Sequence, residues 1–210
     1  MFEYLKYNFY EIFCLFFDHV ELVLLSLFIA LIISIPLGYL LYSHKTLSSP
    51  VITLLSIIYT IPSIAFFAVL IPLTGIGKLT AIIALVAYSL LIITRNIITG
   101  FQGINHSVIH SAKGMGFNSA QILYKIQLPL ALPSIIAGIR IASVSIISIA
   151  TIAAWINAGG LGVILFDGLY QNYAPKIITG TVLIASLAMF INSFLFSLEK
   201  MALQRAKGEV

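Results

Sequence analysis

His106–Pro129 reads HSVIHSAKGMGFNSAQILYKIQLP, and the fold turns on how this stretch is read. It is the longest part of the chain's second half that lipid would not accept. It carries Lys113, Lys125, two histidines (His106 and His110) and several amides and hydroxyls, and long apolar segments flank it on both sides. A soluble element of this size hung between apolar runs implies an ordered body outside a bilayer. Its internal order is helix, glycine break, helix, proline. Ser107 is placed to cap a first short helix whose apolar positions Val108, Ile109 and Ala112 make a contact face. Gly114 and Gly116 end that helix or let the chain turn tightly. Asn118 or Ser119 caps a second helix, on which Ile122, Leu123 and Ile126 recur at helical spacing. Pro129 marks the start of the next apolar run.

Composition agrees. Of 210 residues, 60% are hydrophobic and 9% charged, a balance foreign to soluble domains and expected of a polytopic membrane protein with no room for a second folded domain. The mean hydropathy is +1.10. One cysteine, Cys14, excludes an internal disulfide framework and a cysteine-based metal site. The net charge of +4 is explained by topology and anionic lipid rather than by nucleic acid, because so few charges are present. The N-terminus lacks a basic region and a small-residue cleavage site, so no cleavable leader is expected.

Residues 1–18 place Phe2, Leu5, Phe9, Phe13 and Phe16 at helical spacing with Glu3, Lys6 and Glu11 between them, which predicts an amphipathic helix in the membrane interface. The competing reading is an extension of the first span. Spans are expected at Leu22–Tyr42, Pro50–Leu73, Leu79–Ile98 (ending near Arg95), Leu130–Trp155 and Ile177–Leu198. A glycine-rich connection, Ile156–Lys176, precedes the last span, and Glu199–Val210 reads as a polar tail. The TGIGK loop at Thr74–Lys78 lacks Walker A spacing, so no ATP site is expected in this chain. With the N-terminus outside, Lys45, Arg95, Lys113, Lys125, Lys200, Arg205 and Lys207 lie inside and only Lys6, Lys78 and Lys176 outside. The positive-inside rule selects that orientation and puts His106–Pro129 in the cytoplasm.

The organising stretch resembles the EAA loop of ABC-importer permeases, whose pattern is E-A-A, three residues, G, nine residues, I-x-L-P. Ala112, Gly116, Ile126, Leu128 and Pro129 match in spacing; His110 stands in place of the usual Glu and Ser111 in place of the first Ala. Thr60–Leu91 and Ala158–Leu169 are similar to the osmoprotectant branch of these permeases, which takes up glycine betaine, carnitine and choline, and the methionine-importer permease is the structural relative. The resemblance covers about His19–Leu198. It implies an all-α, five-span fold of the type I importer class, with residues 106–129 as a coupling helix. It further implies a cytoplasmic ATPase dimer that binds ATP and Mg in place of this chain. A second permease chain, identical or paralogous, and an extracytoplasmic substrate-binding protein complete the implied assembly.

Several residues are candidates for sites. Arg140, about ten residues into the fourth span, reads as the single deep charge, either facing the pathway with Ser143 and Thr151 on its side or snorkelling to the interface. Gly159, Gly160 and Gly162 are either gate and receptor-loop residues or a tight turn needed for packing. Pro62 either breaks the second span and frees carbonyls toward a cavity or only kinks it. Asp167 reads as a solvated loop acid near Tyr170 and Tyr173. The histidines show no ligand spacing, and no catalytic or metal residue is expected. Methionine or another amino acid is the alternative cargo, and an intramembrane enzyme or a scaffold is the more distant reading.

Overall fold

The computed structural model describes residues 2–208; Met1, Glu209 and Val210, with the side chains of Phe2 and Lys207, lie outside the described residues, so the ends of the expected interfacial helix and tail do too. The described residues form helices α1 (Phe2–Tyr7), α2 (Phe9–Ser43), α3 (Lys45–Thr60), α4 (Ser63–Thr74), α5 (Lys78–Gln102), α6 (His106–Gly114), α7 (Ser119–Ile122), α8 (Leu128–Ile152), α9 (Gly162–Tyr170) and α10 (Ala174–Lys207). A π-turn at Leu123–Gln127 joins α7 to α8, and a 3₁₀ turn at Ala153–Ile156 follows α8.

Four helical stretches are long and apolar enough to cross a membrane, and α3 with α4 passes only as a pair bent by 100°. Whether that pair crosses or re-enters is settled by its neighbours. Lys78, which opens α5, bonds Asp18 and Glu21 near the start of α2 at 2.9 and 3.1 Å. At the opposite ends Tyr39 and Tyr42 of α2 pack their rings on Phe101 of α5, at 5.5 and 5.1 Å. Helices α2 and α5 therefore run in the same direction, and α3–α4 must carry the chain back across between them. The bent pair makes one net crossing, and the total is five.

The middle of the bundle is α5, 61% buried over its apolar window where that of α10 is 6% buried. Close approach comes from small residues, as expected where lipid removes the hydrophobic drive between helices. A side chain at Gly38 of α2 would meet Ile97 at 2.6 Å, and one at Gly138 of α8 would meet Asn96 at 2.6 Å. Two apolar layers result. One centres on Leu22, Phe67, Leu85, Ile146 and Ile147, near the α2 N-terminal end. The other centres on Ala30, Ile93, Ile97, Phe101 and Ile135, near the organising stretch.

Four expectations need correction. Residues 9–18 are not a separate interfacial helix: α2 is continuous from Phe9 to Ser43, leaving only α1 outside it, because no proline or glycine falls between Phe9 and Ile35 to part the amphipathic run from the first span. Arg95 does not end the third span, since α5 continues to Gln102 before Gly103 caps it. The connection at Ile156–Lys176 is not only a loop; α9 forms within it and packs on α10, where a side chain at Gly180 would meet the Leu165 backbone at 3.1 Å. The tail from Glu199 is helical as far as Lys207, with Gly208 in a left-handed cap.

Candidate functional site

The organising stretch folds as two short helices crossing the end of the bundle. Asn105, not Ser107, caps α6: its side chain accepts from the Ser107 backbone N–H at 3.0 Å and from the Ser107 hydroxyl at 2.9 Å. At its other end the Phe117 N–H donates to the Ala112 carbonyl and the Gly116 N–H to the Lys113 carbonyl. This reciprocal pair is a Schellman closure, and it requires a left-handed residue, which Gly116 supplies at φ +83°. A side chain built at Gly116 would meet nothing of this chain within 4 Å. Asn118 then caps α7 in a reciprocal box with Gln121, both bonds at 2.9 Å.

The faces of this element are sorted. Ala112 is fully buried, and Ile109, Leu123 and Leu128 pack onto the second apolar layer. So the expected contact face serves this chain's own bundle, with Val108 excepted. What points outward is His110, Ser111, Lys113, Met115 and Gly116, with Tyr124 and Pro129 exposed beyond them and Ile126 half-buried. Met115 and Tyr124 are each 69% exposed. The π-turn has a local cause. Pro129 lacks an N–H, so the helical ladder shifts register, and the Leu128 N–H reaches back to the Leu123 carbonyl. The exit of the element is tied to the bundle by Gln127, whose amide donates to the Tyr42 hydroxyl at 3.3 Å. A cavity of about 820 Å³ opens beside it between the start of α8 and the end of α10.

Arg140 is engaged within the chain. Its Nε donates to Glu199 at 2.8 Å and its Nη1 to Asn192 at 3.2 Å, both on α10, and the guanidinium lies over the Phe196 ring at 5.5 Å. Ser143 and Thr151 do not share a lining with it. Their hydroxyls are spent on their own helix, on the Ile139 and Ile147 carbonyls, and Ser143 is fully buried. Glu199 gave no sign in the sequence of being a partner, because it stands 59 residues away and reads as the first residue of a tail.

Pro62 does break the second span, since α3 ends at Thr60 and α4 begins at Ser63. The freed Ile61 carbonyl is not open to a cavity: the Tyr88 hydroxyl donates to it at 2.6 Å. Asp167 lies on α9, its carboxylate 3.8 Å from the Lys176 ammonium, rather than in a solvated loop. Gly159 and Gly160 have φ of +81° and +82° and bring their turn down onto Asp18 and His19. Gly162 abuts the Thr151 carbonyl and Ala154 at the end of α8. These contacts favour the packing reading. Gly160→Ala puts a methyl carbon 2.8 Å from the buried His19 ring while holding a strained backbone angle. A loss of about 2–4 kcal/mol is expected, the sum of the left-handed strain and local overpacking. A lowered melting point of the detergent-solubilised protein checks this, and an unchanged one would show that the turn has slack.

One feature escaped the sequence reading. Arg95 is exposed on α5, seven residues before that helix ends, and among the described residues its Nη2 reaches only the Ser56 hydroxyl, at 3.4 Å. The close approach of Gly138 to Asn96 sets Arg95 and Arg140 within about one helical turn of each other in depth. Among the described residues, of these two arginines Arg140 has an acidic partner and Arg95 has none.

Comparison with known proteins bears on what this arrangement serves. Residues 23–208 match the sequence profile of the family described as binding-protein-dependent transport system inner membrane component. The choline transport system permease protein OpuBB of Bacillus subtilis is 39% identical over 184 residues, covering 88% of this chain and 85% of that one. The glycine betaine/carnitine/choline transport system permease protein OpuCB of Bacillus subtilis is 38% identical over 183 residues, covering 87% and 84%. The osmoprotectant import permease protein OsmW of Salmonella typhimurium is 39% identical over 188 residues, with 87% of each covered. In structure, the chain superposes on a chain of the MetNI methionine ABC transporter in an inward-facing conformation with a TM-score of 0.83, at 25% identity, covering 91% of this chain and 95% of that one.

Proposed function

The chain belongs to the binding-protein-dependent transport system inner membrane component family, and from that membership we propose its cargo and its assembly. It is a multi-pass inner-membrane permease subunit of an ABC importer, a transport component rather than an enzyme. Membership brings an ATPase and a substrate-binding protein as partners. The cargo is an osmoprotectant of the choline, glycine betaine or carnitine kind. The observation that carries this is identity of 38–39% over nearly the whole chain to permeases named for those compounds. The likeness to the methionine transporter supports the fold and leaves methionine as the alternative cargo.

Two copies, or this chain and a paralogue, would enclose the pathway, and two ATPases bearing ATP and Mg would dock on α6 and the π-turn from the cytoplasm. Support comes from the outward set His110, Ser111, Met115 and Gly116 and from the basic residues collected at that end. The direct experiment is reconstitution with the cognate ATPase and receptor, followed by uptake of labelled choline, glycine betaine, carnitine and methionine. Methionine uptake without the others would overturn the cargo. Orientation has its own check. A reporter placed at 172–174 should read as external and one after Val210 as cytoplasmic, since the single crossing of α10 separates them. A cytoplasmic reading at 172–174 would refute the N-out topology.

A further inference from the structure

Arg95 poses a physical problem that the rest of the chain leaves unsolved. It lies seven residues before the end of α5, about 10 Å inside the helix, and it is exposed on the surface of the single chain. Among the described residues it has no acidic partner, whereas Arg140 at similar depth is neutralised by Glu199. A guanidinium at this depth cannot face hydrocarbon cheaply, so the surface bearing it must be covered by water or by a second permease chain. Of its five N–H donors only one is engaged, and weakly, on Ser56. The Ser56 hydroxyl donates its own hydrogen to the Ile52 carbonyl at 2.7 Å and accepts from Arg95, so it steadies the guanidinium and leaves the remaining guanidinium N–H donors to an approaching anion.

One turn further out on α3 stands Tyr59, on the same helical face as Ser56 and about 4.5 Å beyond it along the axis. Tyr59 is 39% exposed. Its ring is steadied edge-on by Tyr88 at 5.9 Å, and Tyr88 is itself fixed by its hydroxyl on the Ile61 carbonyl and by Phe66 at 5.5 Å. A pinned π-face of this kind attracts a quaternary ammonium, and the arginine below it attracts a carboxylate. The broken second span is what brings the two together, because the break at Pro62 lets Tyr88 close over the end of α3.

We infer that Arg95 with Ser56, and Tyr59 held by Tyr88, form a transient zwitterion-binding station in the translocation pathway, with Arg95 selecting for cargo that bears a carboxylate. The inference rests on the osmoprotectant reading above. It divides that class by chemistry: glycine betaine and carnitine carry a carboxylate and a methylated ammonium, while choline carries only the ammonium. The cation would travel outward on Tyr59 and the carboxylate inward on Arg95.

The test uses the full importer in vesicles, with receptor saturating and maximal uptake rates measured for glycine betaine, carnitine and choline. Arg95→Gln is expected to slow the two carboxylates about tenfold and to leave choline within about twofold, since a charge-assisted hydrogen bond is worth roughly that factor. Arg95→Lys should recover much of the carboxylate rate, and Tyr59→Ala should slow all three. Equal losses for choline and the carboxylates in Arg95→Gln, or no loss at all, would overturn the inference. So would a carboxylate loss that Arg95→Lys fails to recover, or a wild type that moves choline alone. A wild type that moves none of the three would refute the osmoprotectant reading itself and this station with it, whereas a wild type that moves all three beside an indifferent Arg95→Gln refutes the station only.

Discussion

Gly116→Asp should leave the protein folded in the membrane and abolish uptake. The fold should survive because a Cβ at this position meets nothing of this chain within 4 Å. The cost of holding φ +83° is on the order of 1–2 kcal/mol for an L residue, and less for aspartate, whose short polar side chain tolerates that region. Met115 and Ser111, on the same short element as Gly116, are exposed as well. If the ATPase docks there, a carboxylate on the tightest part of the turn blocks close approach and leaves a charge to be desolvated. Receptor-stimulated ATP hydrolysis and uptake should fall to background, and the ATPase should co-purify poorly. Gly116→Ala carries the same strain with less bulk and should retain part of the activity. His110→Ala should do much less, because the family's acidic group is absent there and the His110 side chain has no partner recorded among the described residues. Normal coupling in Gly116→Asp with normal ATPase binding would remove the coupling role from this turn.

Arg140→Ala should act on stability before transport. The pair Arg140–Glu199 joins α8 to α10, with side chains 24% and 23% exposed. Removing one member of a buried pair costs about 3–5 kcal/mol, and partial solvation here reduces that to about 1–3 kcal/mol. The loss arises chiefly from Glu199 left beside an apolar neighbourhood without its counter-charge. Replacing both partners together, Arg140→Met with Glu199→Leu, should recover most of it, since well-packed apolar pairs commonly match buried ion pairs. Melting of the purified protein measures the stability, and uptake per folded molecule measures the transport. Wild-type stability in Arg140→Ala combined with lost uptake would return Arg140 to the pathway.

How much was legible in the sequence varies by element. The five apolar stretches and the polar one between them could be read from composition and length alone, because hydrocarbon imposes its demand residue by residue. The closing turn of α6 could be read as well: Gly116 and Asn118 act on backbone groups one or two peptides away, and local chemistry determines local caps. Errors came where a boundary depended on a partner. The run from Phe9 to Phe17 has the periodicity of an interfacial helix, yet with no breaker it continues into the first span. Glu199 reads as a tail acid until α10 brings it to Arg140.

The sequence by itself determined that this is an all-helical membrane protein with an ordered body outside the bilayer. It did so because burial of backbone polar groups in lipid leaves no other architecture for such a composition. Tertiary structure alone decided which charges are free. Arg95 and Arg140 look alike along the chain, each an isolated arginine in an apolar run, and the sequence reading chose Arg140. The approach of α10 to α8 neutralises Arg140, while Arg95 on α5 reaches only the Ser56 hydroxyl of α3 among the described residues. Pairing between residues about sixty positions apart is a property of packing, and no spacing rule within one helix can announce it.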